Sequence, residues 1–245
     1  MEENLICGPK FAIPDEFLSD FSMGGRVPIV FEFRHETSNG SLNWSIEYWD
    51  ALQPKISELF KNGTPVAYSS DIHLVNVLQA YPLQGKNVIV IGSVHPVYEA
   101  IVSRLGGNPS TVEYRKINHN IPGLRTYTVP ELRSAAIDFD NALSISSVEH
   151  DGLGRYGDPI DPSGDLKAME HIRRLIKPGG YLFFSVPVGL DAVCWNSHRI
   201  YGKARLPLLL KGWEILAASG FSSESLDHGK IGEYSEPVFV LRAIS

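Results

Sequence analysis

Residues 87–92 read Asn87-Val-Ile-Val-Ile-Gly92, in which an uninterrupted apolar run follows the asparagine and ends at a glycine. A run that is apolar at every position, rather than at alternate ones, is typical of a strand buried on both faces of a parallel sheet. The helical pattern of Pro96–Leu105 follows, and Gly106-Gly107 ends it. The sequence therefore predicts a strand, a tight turn at Gly92 and a helix that returns across the sheet.

The same alternation continues towards the carboxyl end of the chain. Further strands are predicted at Ser110–Arg115, Leu124–Thr128, Phe139–Ser146 and Tyr181–Pro187, with helices at Pro130–Ala136 and Asp165–Ile176. Strands that alternate with helices favour a Rossmann-like α/β fold, a mostly parallel sheet with helices on both faces. A helix is predicted at Leu206–Ser219, and two strands around Gly229–Glu236 predict an antiparallel finish.

The amino-terminal part of the chain has a different pattern. Turn-forming glycines and prolines interrupt roughly the first 45 residues, apart from a short strand predicted at Val27–Phe33. Amphipathic helices are predicted at Ser45–Phe60 and Ser70–Ala80. We expect residues 1–67 to form an irregular and helical cap, and residues 68–245 to form the Rossmann-like domain.

Composition narrows the class of protein. The 245 residues are 43% hydrophobic and 20% charged, as in an ordinary globular domain, and the net charge of −6 makes nucleic acid an unexpected partner. No apolar run reaches the roughly 18 residues of a membrane span, and the acidic start lacks a signal-peptide pattern. We therefore expect a cytoplasmic protein in which the distant Cys7 and Cys194 are reduced and the sequons at Asn39, Asn43 and Asn62 are unused.

The ends of two predicted strands carry candidate ligand-binding residues. In a doubly wound sheet, ligands bind beyond the carboxyl ends of the strands. Gly92 and Ser93 follow the first buried strand, and the glycine lets the backbone approach a ligand. Glu113 ends the next strand, where a carboxylate can accept hydrogen bonds from the ribose hydroxyls of a nucleoside. Tyr114 follows it and is placed to lie against the base.

The loop after the strand Phe139–Ser146 reads Glu149-His-Asp-Gly-Leu-Gly-Arg-Tyr-Gly-Asp158. His150 is the candidate general base for a hydroxyl group, with Glu149 or Asp151 to orient it and raise its basicity. Arg155 and Tyr156 are candidate substrate contacts. Asp158, Asp161 and Asp165 fit turn and helix-cap positions, although so many carboxylates also leave open a magnesium or calcium ion at this Asp-rich loop.

A second polar cluster follows the strand Tyr181–Pro187. His198, Arg199 and Tyr201 lie at the carboxyl side of that strand, where they are candidates to close over a substrate. A capped surface loop accounts for the same residues equally well. No residue is assigned as a metal ligand.

Two sets of motifs resemble known families. Leu143-Ser-Ile-Ser-Ser-Val-Glu-His150 and Ile176-Lys-Pro-Gly-Gly-Tyr-Leu-Phe183 resemble the LEH and LKPGG elements of class I methyltransferases, which use S-adenosylmethionine. More specifically, Val90–Ala100, Glu149–Pro159 and His198–Tyr201 are similar to the family described as Caenorhabditis protein of unknown function. This second resemblance covers roughly Tyr68 to Leu241.

The resemblance implies a seven-stranded methyltransferase fold and S-adenosylmethionine as the cofactor. This sequence departs from the usual class I methyltransferase pattern in two ways. Ser93 and Val94 stand where a second glycine is usual, and no acidic residue precedes Gly92 in its strand. Glu99 or Ser146 is then the candidate to replace the carboxylate that usually holds the amino group of the cofactor.

The leading hypothesis is an O-methyltransferase that acts on a hydroxyl group of a small molecule or glycan. Two alternatives stay open. One is a degenerate methyltransferase fold that binds a nucleotide or a partner without catalysis, and the other is metal-assisted transfer or hydrolysis at the Asp-rich loop.

Overall fold

A computed structural model of the chain describes residues 8–34 and 40–244. Its strands are β1 Ile29–Glu32, β2 Leu42–Trp44, β3 Asn87–Ile91, β4 Asn108–Glu113, β5 Ile117–His119, β6 Arg125–Thr128, β7 Phe139–Ile145, β8 Ile176–Ser185, β9 Val188–Gly189, β10 Ala192–Asn196, β11 His198–Ile200, β12 Trp213–Ser219, β13 Tyr234–Ser235 and β14 Val238–Ala243. Its helices are α1 Asp15–Phe21, α2 Ile46–Asn62, α3 Ser70–Leu78, α4 Val97–Arg104, α5 Val129–Ala135, α6 Gly164–Leu175 and α7 Leu206–Leu209.

The central sheet has seven strands in the order β12-β14-β8-β7-β3-β4-β6. Neighbouring strands from β8 to β6 run parallel, whereas β14 is antiparallel to both β8 and β12. The predicted fold class, a mostly parallel Rossmann-like sheet with an antiparallel C-terminal strand, is confirmed. Strand order reverses between β3 and β7, which makes the carboxyl ends of these two strands the expected place for a ligand.

The apolar run in β3 packs on both faces of the sheet, as its pattern predicts. Val88 and Val90 are buried in one hydrophobic cluster with helices α2, α3 and α4. Ile89 points the other way, into a second cluster with Met169 and Ile172 of α6. Because successive side chains of a strand alternate between faces, an unbroken apolar run supplies both cores.

The prediction of a helix over Leu206–Ser219 is wrong. Only Leu206–Leu209 is helical, and the chain then turns at Gly212 with φ of +84° into the edge strand β12. The residues of β12 include good helix formers, but pairing with the buried strand β14 overrides that local preference.

The strand pair predicted around Gly229–Glu236 is also corrected. Residues Ser223–Leu226 form a short 3₁₀ turn, and only Tyr234–Ser235 pairs there, with β9. The antiparallel finish exists, but β14 makes it with β12 and β8.

The residues before β3 pack against the rest of the described chain. Helix α2 begins after Ser45, whose side chain accepts a hydrogen bond from the backbone N–H of Tyr48, and Leu52 and Ile56 of this helix enter the main core. Strand β1 pairs with β10 in a small three-stranded sheet with β11. Helix α1 was not predicted.

The two cysteines and the first sequon differ in whether the structure describes them. Cys7 and Asn39 lie outside the described residues, whereas Cys194 is buried as a free thiol. Among the described helices, none is both long and apolar enough to cross a membrane.

Candidate functional site

A cavity of about 1000 Å³ opens at the carboxyl ends of β3, β4 and β7, where the strand order reverses. Most of the predicted site residues line it, namely Gly92, Ser93, Glu113, Tyr114, Ser146, His150, Asp151 and Tyr156. Parallel strands end at the same edge of a sheet, so residues that follow them in sequence meet in space.

Gly92 holds the turn that leaves β3. Its φ is +69°, in the left-handed region that favours glycine, and its N–H donates to the carbonyl oxygen of Val112. A Cβ atom at this position would lie 2.1 Å from Oγ of Ser147. Both the positive φ and the lack of room for a Cβ atom favour glycine at this position. The turn therefore presents only backbone atoms of this residue at the cavity wall.

Ser93 is tied to a buried carboxyl group. Its hydroxyl lies 2.8 Å from the carbonyl oxygen of His95 and 3.1 Å from Oε2 of Glu99, while Thr111 donates to the other oxygen of Glu99 at 2.7 Å. Burial raises the pKa of Glu99 to about 7. Glu99 is fully buried and does not line the cavity, so it supports the loop of Ser93 instead of facing a ligand.

Glu113 ends β4 at the cavity wall, where Nε of Arg115 donates to its Oε1 at 2.9 Å. Its carboxylate is nearly buried, with 8% of the residue exposed. The next side chain, Tyr114, donates from its hydroxyl to Oδ1 of Asp151 at 3.2 Å. This bond joins the end of β4 to the loop after β7 across the cavity.

His150 lies in a short 3₁₀ turn after β7, with its Nδ1 2.7 Å from the carbonyl oxygen of Ser197. Nη1 of Arg155 donates to the same oxygen at 3.1 Å, and the ring of Tyr156 packs edge-on against the imidazole. Burial, together with the charge of Arg155, lowers the pKa of His150 to about 3. The imidazole is therefore neutral at ordinary pH, with Nδ1–H donating to Ser197. This corrects the prediction that Glu149 or Asp151 orients the ring and raises its basicity, because Ser197 orients it and its pKa is lowered.

Glu149 lies beside the Nε2 edge of this imidazole. Its Oε1 accepts a hydrogen bond of 2.6 Å from the hydroxyl of Ser146 and lies 3.6 Å from Nε2 of His150. Its Oε2 is buried and has no hydrogen-bond partner. Burial raises the pKa of Glu149 to about 7, so this carboxyl group ionises in the neutral range. Glu149 is fully buried and reaches the cavity only through its neighbours.

The carboxylates of the Asp-rich loop are engaged by protein donors. Asp158 accepts from the backbone N–H groups of Gly152, Gly154 and Tyr156, which fixes the shape of the loop. Asp161 accepts from the N–H of Ser163 and the ammonium group of Lys167. These positions give no support to the alternative in which this loop binds a catalytic metal ion.

Arg199 and Tyr201 are not at the cavity, which corrects the prediction that they close over a substrate. Both are fully buried. The guanidinium of Arg199 donates to the carbonyl oxygen of Asp151, and the hydroxyl of Tyr201 donates to Asp165 at 3.0 Å. Asp165 also binds Arg205 through two hydrogen bonds of 2.6 and 2.8 Å, so these residues form a buried ion-pair network behind the loop.

Two other predicted substrate residues also lie outside the cavity lining. Arg155 contacts the ring of Tyr156, with its guanidinium carbon 4.8 Å from the ring centre. His198 packs against Tyr234 on the far side of Ser197. Asp165, predicted as a turn or helix-cap residue, serves the ion-pair network described above.

The cavity is also lined by residues that the sequence pattern does not single out. Tyr48, Leu52 and Lys55 of α2 line one wall, and Lys167 and His171 of α6 line another. Within each set the residues are three or four positions apart and therefore lie on one face of their helix. This spacing is the only feature of the local sequence that groups them. Such a face is read as ordinary amphipathic surface until the packing of the helix is known.

Residues 85–236 match the family described as Caenorhabditis protein of unknown function, DUF268. The chain belongs to this family. The matched region of this DUF268 member contains β3 to β13 and therefore includes the strand ends that form the cavity.

Solved structures share the fold of this DUF268 member at low sequence identity. One is the 1,6-didemethyltoxoflavin-N1-methyltransferase of Burkholderia thailandensis with bound 1,6-didemethyltoxoflavin and S-adenosylhomocysteine, at 16% identity and a TM-score of 0.51 over 81% of this chain and 90% of that one. Another is a putative sarcosine dimethylglycine methyltransferase of Galdieria sulphuraria, at 12% identity and a TM-score of 0.50 over 80% of this chain and 98% of that one. The fold is thus that of Rossmann-like methyltransferases. A comparison with curated proteins finds no significant match.

Proposed function

We propose that this protein is a methyltransferase that uses S-adenosylmethionine to methylate a hydroxyl group of a small molecule or glycan, with His150 as the general base. The observation that carries it is the position of His150. A neutral imidazole, fixed by the carbonyl oxygen of Ser197, lines the same cavity as the Gly92 turn and the carboxylate of Glu113.

The cavity residues fit the cofactor. A volume of about 1000 Å³ is at the upper end of the range for small-molecule sites, which leaves room for an acceptor beside a cofactor. Gly92 offers backbone where a side chain has no room, and Glu113 offers a carboxylate for ribose hydroxyls. Ser93 and Ser146 supply hydroxyl groups at the same wall, and Tyr114 supplies an aromatic ring.

When bound, S-adenosylmethionine supplies an electrophilic methyl group. Transfer to an acceptor oxygen would break the sulfur–methyl bond and leave S-adenosylhomocysteine. The role of His150 would be to take the proton of the acceptor hydroxyl at Nε2. Nδ1–H keeps its hydrogen bond to Ser197 throughout, which holds the ring in place. An ionised Glu149, 3.6 Å from Nε2, stabilises the imidazolium that forms. Asp151 accepts the hydrogen bond of Tyr114 and so orients that ring in the same cavity.

The amino-terminal segment covers the acceptor side in this proposal. Tyr48 and Lys55 of α2 and the half-exposed Tyr68 line the cavity. Asp71 accepts hydrogen bonds from the backbone N–H groups of Val66, Ala67 and Tyr68, so this part of the wall has a defined shape. A shaped wall restricts which acceptors bring a hydroxyl group close to His150.

Binding and turnover test the function separately. Calorimetry is carried out with S-adenosylmethionine and S-adenosylhomocysteine on the native protein and on Glu113→Gln, which we expect to weaken both affinities. Turnover is then followed with S-adenosylmethionine that carries a deuterated methyl group, added to a small-molecule extract and analysed by mass spectrometry. Absence of heat with either compound contradicts the proposal, and binding without any labelled product supports the non-catalytic alternative.

A further inference from the structure

Three side chains with metal-binding chemistry share one face of the small sheet formed by β1, β10 and β11. Cys194 of β10 pairs with Val30 of β1 on one side and with His198 of β11 on the other. Glu32 follows Val30 by two residues, so its side chain points to the same face. A carboxylate oxygen of Glu32, the sulfur of Cys194 and a ring nitrogen of His198 all lie within 4.8 Å of one another.

The donor atoms are available to a ligand. Nδ1 of His198 lies 3.0 Å from the hydroxyl of Ser197, whereas its Nε2 is buried and has no hydrogen-bond partner. Cys194 is a free thiol with 2% of the residue exposed. Glu32 pairs with Arg34 at 2.7 Å, but both side chains are substantially exposed, and such surface pairs contribute little.

We propose that Glu32, Cys194 and His198 bind a zinc ion. A thiolate, an imidazole and a carboxylate are the three ligand types that zinc accepts together, whereas magnesium and calcium require oxygen ligands alone. Bond lengths of about 2.0 to 2.3 Å place the donors of a tetrahedral zinc site about 3.3 to 3.8 Å apart, so small side-chain movements close the site. The fourth position is left for water.

The bound ion has a structural consequence at the cavity. Its ligands come from three strands, so it fastens β1, in the amino-terminal segment, to β10 and β11. Ser197 links the two sites, because its hydroxyl contacts His198 and its carbonyl oxygen accepts from His150. Hydrogen bonds behind a ligating histidine orient its ring. Zinc therefore fixes the turn that positions His150.

Cobalt substitution tests the site without any cofactor or acceptor. The metal-free protein is titrated with Co²⁺ under reducing conditions, and we expect a thiolate-to-cobalt absorption band that saturates at one ion per chain. Cys194→Ser abolishes this band, and Cys7→Ser, the matched control, retains it. A band that is absent from the native protein, or that disappears in the Cys7 variant instead, overturns the zinc site.

Zinc affinity provides a second readout that does not depend on replacing a buried residue. Competition with a chromophoric chelator gives the dissociation constant for zinc, and we expect Glu32→Gln to raise it by about 10-fold or more. We also expect saturating Zn²⁺ to raise the unfolding temperature of the native protein by about 5 °C or more. Glu16→Gln on α1 is the control for loss of an exposed carboxylate. Equal zinc affinities for both variants and the native protein contradict the site. Calorimetry with S-adenosylhomocysteine on the same samples reports the proposed methyltransferase function independently.

Discussion

The carbonyl oxygen of Ser197 lies 2.7 Å from Nδ1 of His150, and the same oxygen accepts from the guanidinium of Arg155. A carbonyl oxygen only accepts hydrogen bonds, so Nδ1 must carry a hydrogen. The lone pair of the neutral ring is then on Nε2, as a general base requires. The contact couples the loop after β7 to the turn between β10 and β11.

Replacing His150 tests its role as the base. We expect His150→Ala to lower kcat by about 10²- to 10⁴-fold, because that is the usual contribution of general base catalysis. The dissociation constant for S-adenosylhomocysteine should change by less than about 3-fold, since the proposed cofactor contacts are made by Gly92 and Glu113. The control is His228→Ala, which removes an exposed imidazole. An unchanged kcat in His150→Ala shows that another group takes the proton.

The pH dependence of turnover reports on Glu149. Burial raises the pKa of this carboxyl group to about 7, so it is protonated below pH 7 and ionised above it. Only the ionised form stabilises a protonated His150, and we therefore expect kcat/KM to rise with pH through about 7. Glu149→Gln has no group that ionises there and should lose this limb of the profile.

Glu99→Gln is the matched control for that profile, because burial raises the pKa of Glu99 to about 7 as well, but at a site away from His150. The rising limb should persist in this variant. For both carboxyl groups the pKa in the folded protein lies above the ordinary value of 4.5. Their contribution to stability is thus fully present below pH 4.5 and is lost as pH rises through about 7. If the rising limb of kcat/KM disappears in both variants, the pH dependence comes from protein stability and not from Glu149 beside His150.

Local pattern decided which parts of the fold were predictable. Strand β3 is buried on both faces, and its unbroken run of four apolar residues, Val88–Ile91, is closed by a glycine and suits a buried strand far better than a helix. Residues 213–219 carry a pattern compatible with a helix, and only the distant strand β14 makes them a strand. Their conformation depends on a partner that no local window contains.

Some residues of the candidate site were predictable from the sequence, and others were not. Gly92, Glu113 and His150 each lie at or just beyond the carboxyl end of a buried strand. Ligands bind at these ends in a doubly wound sheet, which places the three residues together at the cavity. Arg199 has the same polar character in sequence, yet it is buried in an ion-pair network. Sequence alone does not separate a polar side chain that faces a ligand from one that neutralises a buried partner.

Gly92 and Gly63 form a natural pair for testing the cofactor turn. Both have φ of +69°, so alanine carries the same left-handed strain at either position, about 1–2 kcal/mol. A Cβ atom on Gly63 meets nothing within 4 Å, whereas one on Gly92 lies 2.1 Å from Oγ of Ser147. We expect Gly92→Ala to destabilise the protein more than Gly63→Ala in denaturant unfolding, and to weaken S-adenosylhomocysteine binding at least about 10-fold, which Gly63→Ala should not do.

A second substitution separates the steric effect at Gly92 from a general loss of folding. Ser147→Gly removes both atoms that the new Cβ would meet, so the double variant Gly92→Ala/Ser147→Gly should recover the stability of Gly63→Ala. Failure of this rescue would show that the clash with Ser147 is not the cause.

The buried ion pairs of Asp165 should matter far more than exposed ones. Asp165 is fully buried, and Arg205 binds it through two hydrogen bonds while Nε of Arg199 lies 3.8 Å away. Asp165→Asn keeps the shape but leaves two buried guanidinium groups without a counter-charge, so we expect a loss of about 3–5 kcal/mol in the free energy of unfolding. Glu214→Gln breaks the exposed pair with Arg242 and should cost about 0–1 kcal/mol. Urea unfolding at pH 7 measures both, and equal losses would mean that the network behind the loop contributes no more than a surface pair.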